Sequence, residues 1–461
     1  MKRETISTEQ TIAAISTPQG EGAIGIVRLS GSKAYPILKT VFRPSKPIRR
    51  YQSHKLYHGI ITEEDGRGID DVMAAFMKAR KTYTGEDMAE IYTHGGAGVV
   101  RAVLERTLRA GARLAERGEF TRRAFLKGKM DLLQAEAVAD LIKADTERAR
   151  QQAMSQMTGL LSIYISSIKE KLIQVKADLE VMIDFPEEDV SSKQEFDLKF
   201  MLQAARDEVN HILKGYEHAR IIREGIRVVL IGRPNVGKSS LFNVLIGEDR
   251  AIVTPHPGTT RDYIEEAVTY EGIKLVIVDT AGIRKSDEPV EQMGIEKTGS
   301  LIEGADVLLM LVEPGAGTGY AEELAIAQAH SRNVVIAINK IDIAPAEKVE
   351  EAQQAFRDYP AFPVSAKTQE GLEPLKRRII EPSQSYSIEN TPLINRYRHK
   401  QALEHMELSL SAAISLIDAQ AFPEIVAEEV DSAVMALKDL TGEVTTEDIL
   451  DKIFSEFCIG K

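Results

Sequence analysis

The sequence predicts a multidomain α/β protein in which a nucleotide-binding domain interrupts a helical one. Three observations predict it. A glycine loop, Gly232–Ser240 (Gly-Arg-Pro-Asn-Val-Gly-Lys-Ser-Ser), stands between an apolar run, Ile226–Ile231, and an amphipathic helix start, Leu241–Ile246. Helical periodicity flanks that segment, over about residues 126–223 and again over 382–461. Short strands and helices alternate over 1–125. The expected domains are therefore an α+β segment at 1–125, a helical bundle domain split into 126–223 and 382–461, and an inserted Ras-like P-loop domain at 224–381.

A length of 461 residues accommodates about two to four domains. The net charge of −12 gives no bulk argument for nucleic-acid binding. A single cysteine, Cys458, excludes an intramolecular disulfide framework and a cysteine-based zinc site, and fits a reducing cytosol. The absence of a membrane-length apolar run and the polar start Met1–Gln10 lead to the expectation of a cytoplasmic protein with no membrane partner.

In the first segment Gly25–Ser30 and Asp71–Met77 read as strands, and Lys33–Val41 and Gly96–Leu114 as helices. Gly20–Gly25 matches G-x-G-x-x-G but precedes a strand instead of following one, so it reads as a turn and not a dinucleotide site. His94-Gly95-Gly96 reads as a structural turn, with no second ligand at metal spacing on the same element. The basic stretch Arg101–Lys129 has several cations at helical spacing and reads as a solvated helix face.

Helical pattern continues over Met130–Ala144, over Asp145–Ile183 until Pro186 stops it, and over Lys199–Arg223. It returns at Ile394–Asp418, Ile425–Leu440 and Ile449–Phe457. The chain ends Phe457-Cys458-Ile459-Gly460-Lys461; Gly460 and the final Lys461 argue against prenylation. Cys458 is either a buried structural thiol or a reactive one in a cleft.

Four more stretches turn a phosphate loop into a GTPase. In the loop, glycines permit close backbone approach, N–H groups and the helix end face a polyphosphate, Lys238 meets the β/γ-phosphates and Ser239 ligates Mg²⁺. Lys274–Val278 leads to Asp279-Thr280-Ala281-Gly282, where the Asp holds Mg²⁺ through water and the Gly N–H meets the γ-phosphate. Val334–Ile338 leads to Asn339-Lys340-Ile341-Asp342, whose carboxylate accepts from guanine's N1–H and 2-amino group; adenine lacks that donor pair. Phe362-Pro363-Val364 leads to Ser365-Ala366-Lys367, for the guanine O6. The loop Thr254–Asp262 supplies Thr260 as second Mg²⁺ ligand. The expected GTP contacts are Asn235, Val236, Gly237, Lys238, Ser239, Ser240, Thr254, Pro255, His256, Pro257, Gly258, Thr259, Thr260, Asp279, Thr280, Ala281, Gly282, Asn339, Lys340, Asp342, Ser365, Ala366 and Lys367.

Many small GTPases place a water-orienting Gln directly after Asp-x-x-Gly; here that position is Ile283. An arginine finger contributes about 10³–10⁵ in rate, so another source of charge is required. Candidates are Arg261, Arg284, Glu288, Glu291 and a monovalent cation near Asn235.

The phosphate loop with Asn235, Gly258-Thr259-Thr260-Arg261-Asp262, Asp279–Gly282 and the terminal Phe-Cys-Ile-Gly-Lys resemble the tRNA-modification GTPase family MnmE (TrmE). So do Asp184-Phe185-Pro186-Glu187-Glu188, Gly118-Glu119-Phe120, Arg123-Ala124-Phe125-Leu126 and Leu440-Thr441-Gly442-Glu443. The resemblance spans essentially the whole chain. It implies that the first segment is a tetrahydrofolate-binding, dimerising domain. It also implies a homodimer that forms a heterotetramer with the flavoprotein MnmG and modifies the wobble uridine of certain tRNAs at C5. The added group is of the aminomethyl or carboxymethylaminomethyl type. A folate, 5,10-methylenetetrahydrofolate or 5-formyltetrahydrofolate, supplies the one-carbon unit.

Carried over by motif, Asn235, Thr254, His256 and Thr259 would bind K⁺, and Glu291 would position the attacking water. Arg28, Glu90, Lys129 and Lys461 would contact the folate, with Cys458 a candidate for one-carbon chemistry. Rival readings are an RNA-binding assembly factor, which needs a basic module that the acidic stretch after the G domain does not provide, and a pure nucleotide switch.

Overall fold

The computed structural model describes residues 10–18, 20–185, 192–247, 264–279, 304–315, 317–320, 324–325, 328, 333–383 and 392–461. The chain packs as two units: Met1–Ala139 with Met157–Lys176 and Ala427–Lys461, and Asp140–Gln156 with Ala177–Val426.

The first unit is built on strands β1 (Ile12–Ile15), β2 (Ile24–Ser30), β3 (Phe42–Pro44), β4 (Lys55–Thr62), β5 (Gly68–Met77), β6 (Met88–His94) and β7 (Arg113–Leu114). They form a seven-stranded sheet in the order β3-β4-β5-β6-β2-β1-β7. Only the β1–β7 pairing is parallel. Side chains alternate across the sheet with period two. Ala13, Val27, Leu29, Ala89 and Ile91 pack under Ile37 and Leu38 of α1 (Ala34–Val41) and Val100 and Val103 of α2 (Ala97–Arg109). Ile12, Ala14 and Met88 face the other way, onto Phe120 of α3 (Glu119–Leu126). Arg28, Glu90 and Tyr92 share that second face. Beyond α3, Leu132, Ala135 and Val138 of α4 (Leu132–Lys143) pack against Leu450, Ile453 and Phe454 of the helix Glu447–Ser455 and against Phe457.

Three helices differ from expectation, each at a glycine. The helix expected over Gly96–Leu114 ends at Arg109; Gly111 takes φ +107°, and Arg113–Leu114 join the sheet beside β1. The Asp145–Ile183 pattern is two helices, α5 (Glu147–Met157) and α6 (Leu160–Asp184), separated at Gly159 with φ +89°. The Lys199–Arg223 pattern is likewise α7 (Ser192–Lys214) and α8 (Tyr216–Glu224), broken at Gly215, where a Cβ would lie 2.7 Å from Leu393 Cδ2.

The basic stretch Arg101–Lys129 is only in part a solvated face: Arg101, Arg109, Arg117, Lys127 and Lys129 are exposed, but three of its cations are not. Arg106, Arg122 and Arg123 are buried. Arg106 donates to the Thr62 carbonyl, Arg122 forks onto Asp451 and Glu447, and Arg123 reaches Glu86 and Glu119, both at 2.9 Å. Partners remote in sequence, with the one local partner Glu119 four residues before Arg123, make burial of these charges tolerable.

The second unit carries β8 (Ile226–Gly232), β9 (Ile264–Tyr270), β10 (Ile273–Asp279), β11 (Val307–Val312), β12 (Val334–Ile338) and β13 (Ala361–Pro363). The six-stranded order is β13-β12-β11-β8-β10-β9, all parallel except the edge strand β9. β11 and β12 are buried at every residue, as strands covered on both faces must be. One face packs on Leu241, Phe242 and Leu245 of α9 (Lys238–Gly247) and Leu375 and Ile379 of the helix Leu372–Ile380. The other packs on Ala352 of the helix Ala346–Ala355, on Phe356 just after it, and on Tyr320.

Within the same unit α7 packs along the helix Tyr397–Asp418. The buried carboxylate of Asp140 accepts from Arg223 Nε at 3.0 Å and Arg396 Nη2 at 2.7 Å. Arg223 precedes β8 and Arg396 precedes the helix Tyr397–Asp418, so one carboxylate fastens both chain crossings between helices and sheet.

Glu119, 1% exposed, offers a test of this network. Burial pushes its pKa up, but hydrogen bonds from Arg113, the Glu116 N–H and Arg123 outweigh burial and hold it below the ordinary 4.5. A carboxyl with a depressed folded pKa stabilises the fold above its unfolded value, and that contribution is lost as pH falls through the folded pKa. Glu119→Gln is expected to lower stability by about 3 kcal/mol at pH 7. Denaturant unfolding should show the gap between variant and parent closing at pH values below the unfolded carboxyl pKa.

Candidate nucleotide-binding site

Parallel strands bring their carboxyl ends to one edge, and in such sheets ligands bind there. The ladder pairs Gly232 with Leu311, Asp279 with Leu230, and Ile338 with both Val312 and Pro363. The carboxyl ends of β8, β10, β11, β12 and β13, with the loops described after β8, β11, β12 and β13, therefore lie side by side. They contain the phosphate loop, Asp279, Glu313, Asn339–Asp342 and Ser365–Lys367.

Two positions in the phosphate loop require glycine. Gly232 has φ +149°, and a Cβ there would lie 2.7 Å from the Leu311 carbonyl oxygen. Gly237 has φ +97°, and a Cβ would lie 2.3 Å from Asn339 Nδ2. Asn235, between them, sits at φ +63° and is exposed. Helix α9 starts at Lys238, so its first N–H groups have no intrahelical acceptors and face the loop. Lys238 Nζ donates to the carbonyls of Gly232 at 2.8 Å and Arg233 at 2.9 Å. Ser239 Oγ lies 3.3 Å from Asp279 Oδ2, a pair of oxygen donors of the type that a hard divalent cation takes.

The base-reading loop is tied to this platform by Asn339. Its buried side chain donates to the Val236 carbonyl at 2.9 Å and accepts from the Ala366 N–H at 3.0 Å. One amide thus braces phosphate loop, Asn339–Asp342 and Ser365–Lys367. Lys340 adopts φ +68°, a conformation that costs a side-chain-bearing residue roughly 1 kcal/mol. Asp342 Oδ1 accepts from Ser365 Oγ at 2.8 Å, and Ser365 Oγ in turn accepts from the Thr368 N–H at 3.1 Å. The carboxylate keeps its remaining lone pairs for a ligand with adjacent N–H donors.

A second cluster lies in the first unit. Register places Arg28 opposite Glu90 on β2 and β6, and Arg28 Nε donates to Glu90 Oε1 at 2.8 Å. Tyr92 Oη donates to Glu90 Oε2 at 2.6 Å, and the Arg28 guanidinium stands 5.9 Å from the Phe120 ring centroid. Burial and the Glu90 hydrogen bond push the Tyr92 phenol up to about 12. The C-terminus is stitched in beside them. Phe120 N donates to the Lys461 carbonyl at 3.2 Å; Ser16 Oγ and Arg28 Nη1 donate to the Gly460 carbonyl at 3.2 and 3.3 Å. Gly460 has φ +97°, and a Cβ would lie 2.2 Å from the Ile15 carbonyl oxygen, so no other residue fits. Burial, then the Arg28 charge, lower the Lys461 pKa.

Sequence comparison extends both sites to known proteins. Residues 11–129 match the family described as GTP-binding protein TrmE N-terminus, and residues 132–458 match the MnmE helical domain. The tRNA modification GTPase MnmE of Natranaerobius thermophilus is 39% identical over 98% of this chain and 100% of its own. That of Symbiobacterium thermophilum is 42% identical over 98% and 100%, and that of Acetivibrio thermocellus 40% over 98% and 99%. The chain belongs to the tRNA modification GTPase MnmE family. The match runs through both clusters, so neither stands outside the family's span.

Of the residues expected at the nucleotide site, Asn235–Ser240, Asp279, Asn339, Lys340, Asp342 and Ser365–Lys367 gather at this edge. Thr254–Thr260, Arg261, Thr280–Gly282, Arg284, Glu288 and Glu291 lie outside the described residues. Arg28, Glu90 and Lys461 come together, whereas Lys129 Nζ donates to the Arg80 carbonyl at 2.8 Å, over the β5–β6 loop. Cys458 is exposed, which decides the earlier alternative against a buried thiol. His94, expected in a turn, is the last residue of β6; its ring is paired with Asp70 at 2.6 Å, and that hydrogen bond raises its pKa. Among the described residues no group of three or more His, Cys, Asp or Glu could hold a metal, and no helix is long and apolar enough to cross a membrane. Sequence reasoning missed Tyr92 and Phe120. Tyr92 was reachable, because a residue two positions from Glu90 on a strand shares its face.

Proposed function

We propose that this chain is a GTP hydrolase acting in tRNA modification, and that its substrate is GTP with Mg²⁺. The observation that carries this reading is the convergence of Lys238, Ser239 and Asp279 with Asp342 at one sheet edge, in a member of this family. The loop N–H groups and Lys238 hold the polyphosphate. Ser239 and Asp279, with Thr260, would hold Mg²⁺, which when bound shields charge on the bridging and terminal phosphate oxygens. Asp342 accepts two donors from guanine and would be left unsatisfied by adenine.

Finer parts of the proposal rest on motif and site chemistry. Asn235, Thr254, His256 and Thr259 would hold K⁺, which would supply the positive charge that an arginine finger gives elsewhere; the exposed amide of Asn235 suits that role. Glu291 positions the attacking water. In the first unit Glu90 offers lone pairs to a pterin amino edge while Arg28 and Tyr92 hold its carboxylate in place. Lys461 and Lys129 supply positive charge for a folate's glutamate tail. Cys458, exposed near the C-terminus, is a candidate for the one-carbon step. The domain plan is a folate-binding segment at 1–125, a helical domain from 126–223 and 382–461, and an inserted G domain at 224–381. The working assembly is a cytoplasmic homodimer with the flavoprotein MnmG, modifying the wobble uridine at C5.

Hydrolysis is expected to be faster in K⁺ than in Na⁺ by about 10³-fold, the share of a missing arginine finger. Asn235→Ala should remove that stimulation; equal rates in the two salts for the parent protein would refute the cation role. Mass spectrometry of tRNA nucleosides from cells lacking the protein should show loss of the C5-modified wobble uridines. An unchanged nucleoside profile would overturn the modification assignment.

A further inference from the structure

The edge that takes the nucleotide contains one carboxylate for which the GTPase motifs give no reason. Glu313 follows β11 directly, between the phosphate loop and the base-reading loop. A carboxylate set beside a polyphosphate site repels the ligand unless a cation neutralises it. Here the cation is Lys340, whose Nζ lies 2.5 Å from Glu313 Oε1. Lys340 is also the residue of the base-reading loop held at φ +68°. Its side chain is therefore anchored at the point where its backbone is least comfortable.

Glu313 is held in turn. Its backbone N–H donates to Tyr320 Oη at 3.2 Å. The Tyr320 ring is buried and receives the Arg233 guanidinium 4.7 Å from its centroid, and Arg233 also donates to the Gly319 carbonyl. Arg233 belongs to the phosphate loop. A continuous bracket, Arg233–Tyr320–Glu313–Lys340, thus runs from phosphate loop to base loop, separate from the Asn339 brace.

We propose that Glu313 is a positioning residue for guanine recognition: through Lys340 it holds the loop that aims Asp342, and through Tyr320 and Arg233 it keeps that loop in register with the phosphate loop. This rests on the guanine-nucleotide reading above. The pair is a third or more exposed on both sides, so its contribution is that of a well-placed surface ion pair. The expected loss on Glu313→Gln is about two- to fivefold in affinity.

The test is calorimetric titration of the full chain with GDP and with IDP, which lacks the 2-amino donor, in Mg²⁺. Glu313→Gln should raise the GDP dissociation constant about two- to fivefold and the IDP constant less, because a loosened Asp342 loses part of its reward for the second donor. In turnover the variant should raise KM with kcat unchanged. The same substitution in a Lys340→Gln background should have no further effect. A GDP constant and GDP/IDP ratio equal to the parent's would overturn the proposal, as would an effect of equal size in the Lys340→Gln background. A parent chain that binds neither nucleotide would instead refute the guanine-nucleotide reading, which separates the two failures.

Discussion

The nucleotide site depends on the side chain of Asn339. Its amide spans two loops that belong to different strands, giving a hydrogen bond to the Val236 carbonyl and taking one from the Ala366 N–H. Both partners are backbone groups in a region where water has little access. Losing the amide would leave a buried acceptor and a buried donor unsatisfied, each at a cost of about 1–3 kcal/mol. The same side chain closes over Gly237, where a Cβ would come within 2.3 Å of its nitrogen. Loop glycine and bracing asparagine are therefore one constraint: the close approach demands the glycine, and the brace rewards it.

That constraint explains how a sheet of buried, featureless strands gains specificity. β11 and β12 contribute apolar bulk and nothing chemical along their length. Chemistry begins at the residue where each strand ends. Parallel pairing and register then decide which loop ends are neighbours. Ser239 meets Asp279 because β10 lies beside β8; Lys340 meets Glu313 because β12 lies beside β11. The first unit solves a similar problem with antiparallel strands. Arg28 and Glu90 are cross-strand partners, and Tyr92 joins them through the two-residue repeat. The chain terminus closes on the same face, fixed by a glycine at Gly460 that the Ile15 carbonyl permits to be nothing else.

Much of this was legible in the sequence where function and local pattern coincide. The strand before the glycine loop, the strand before Asn339 and the strand leading to Asp279 appear as read, within a residue of their ends, and the helix after the loop starts at Lys238, three residues before Leu241. Helix boundaries were less legible. Gly159 and Gly215 each divide one run of helical pattern into two helices, and at Gly111 the chain leaves a helix for a strand, so the apolar pattern alone does not mark the ends. Charges were the least legible. Arg122 and Arg123 look like solvent-facing cations until Asp451, Glu447 and Glu86 are brought to them by the fold. No local signal carries that information, because an ion pair between distant positions leaves no periodicity. Asp140 and Glu313 were overlooked for the same reason: each is an isolated acid in sequence and a junction in space.

The central claim is that a braced carboxylate at a strand end reads guanine. The most direct measurement is equilibrium titration of the full chain with GDP and with ADP in Mg²⁺. The account predicts GDP binding and ADP weaker by about 10² or more, since adenine leaves the Asp342 carboxylate without its donor pair. Comparable affinity for the two nucleotides would contradict it.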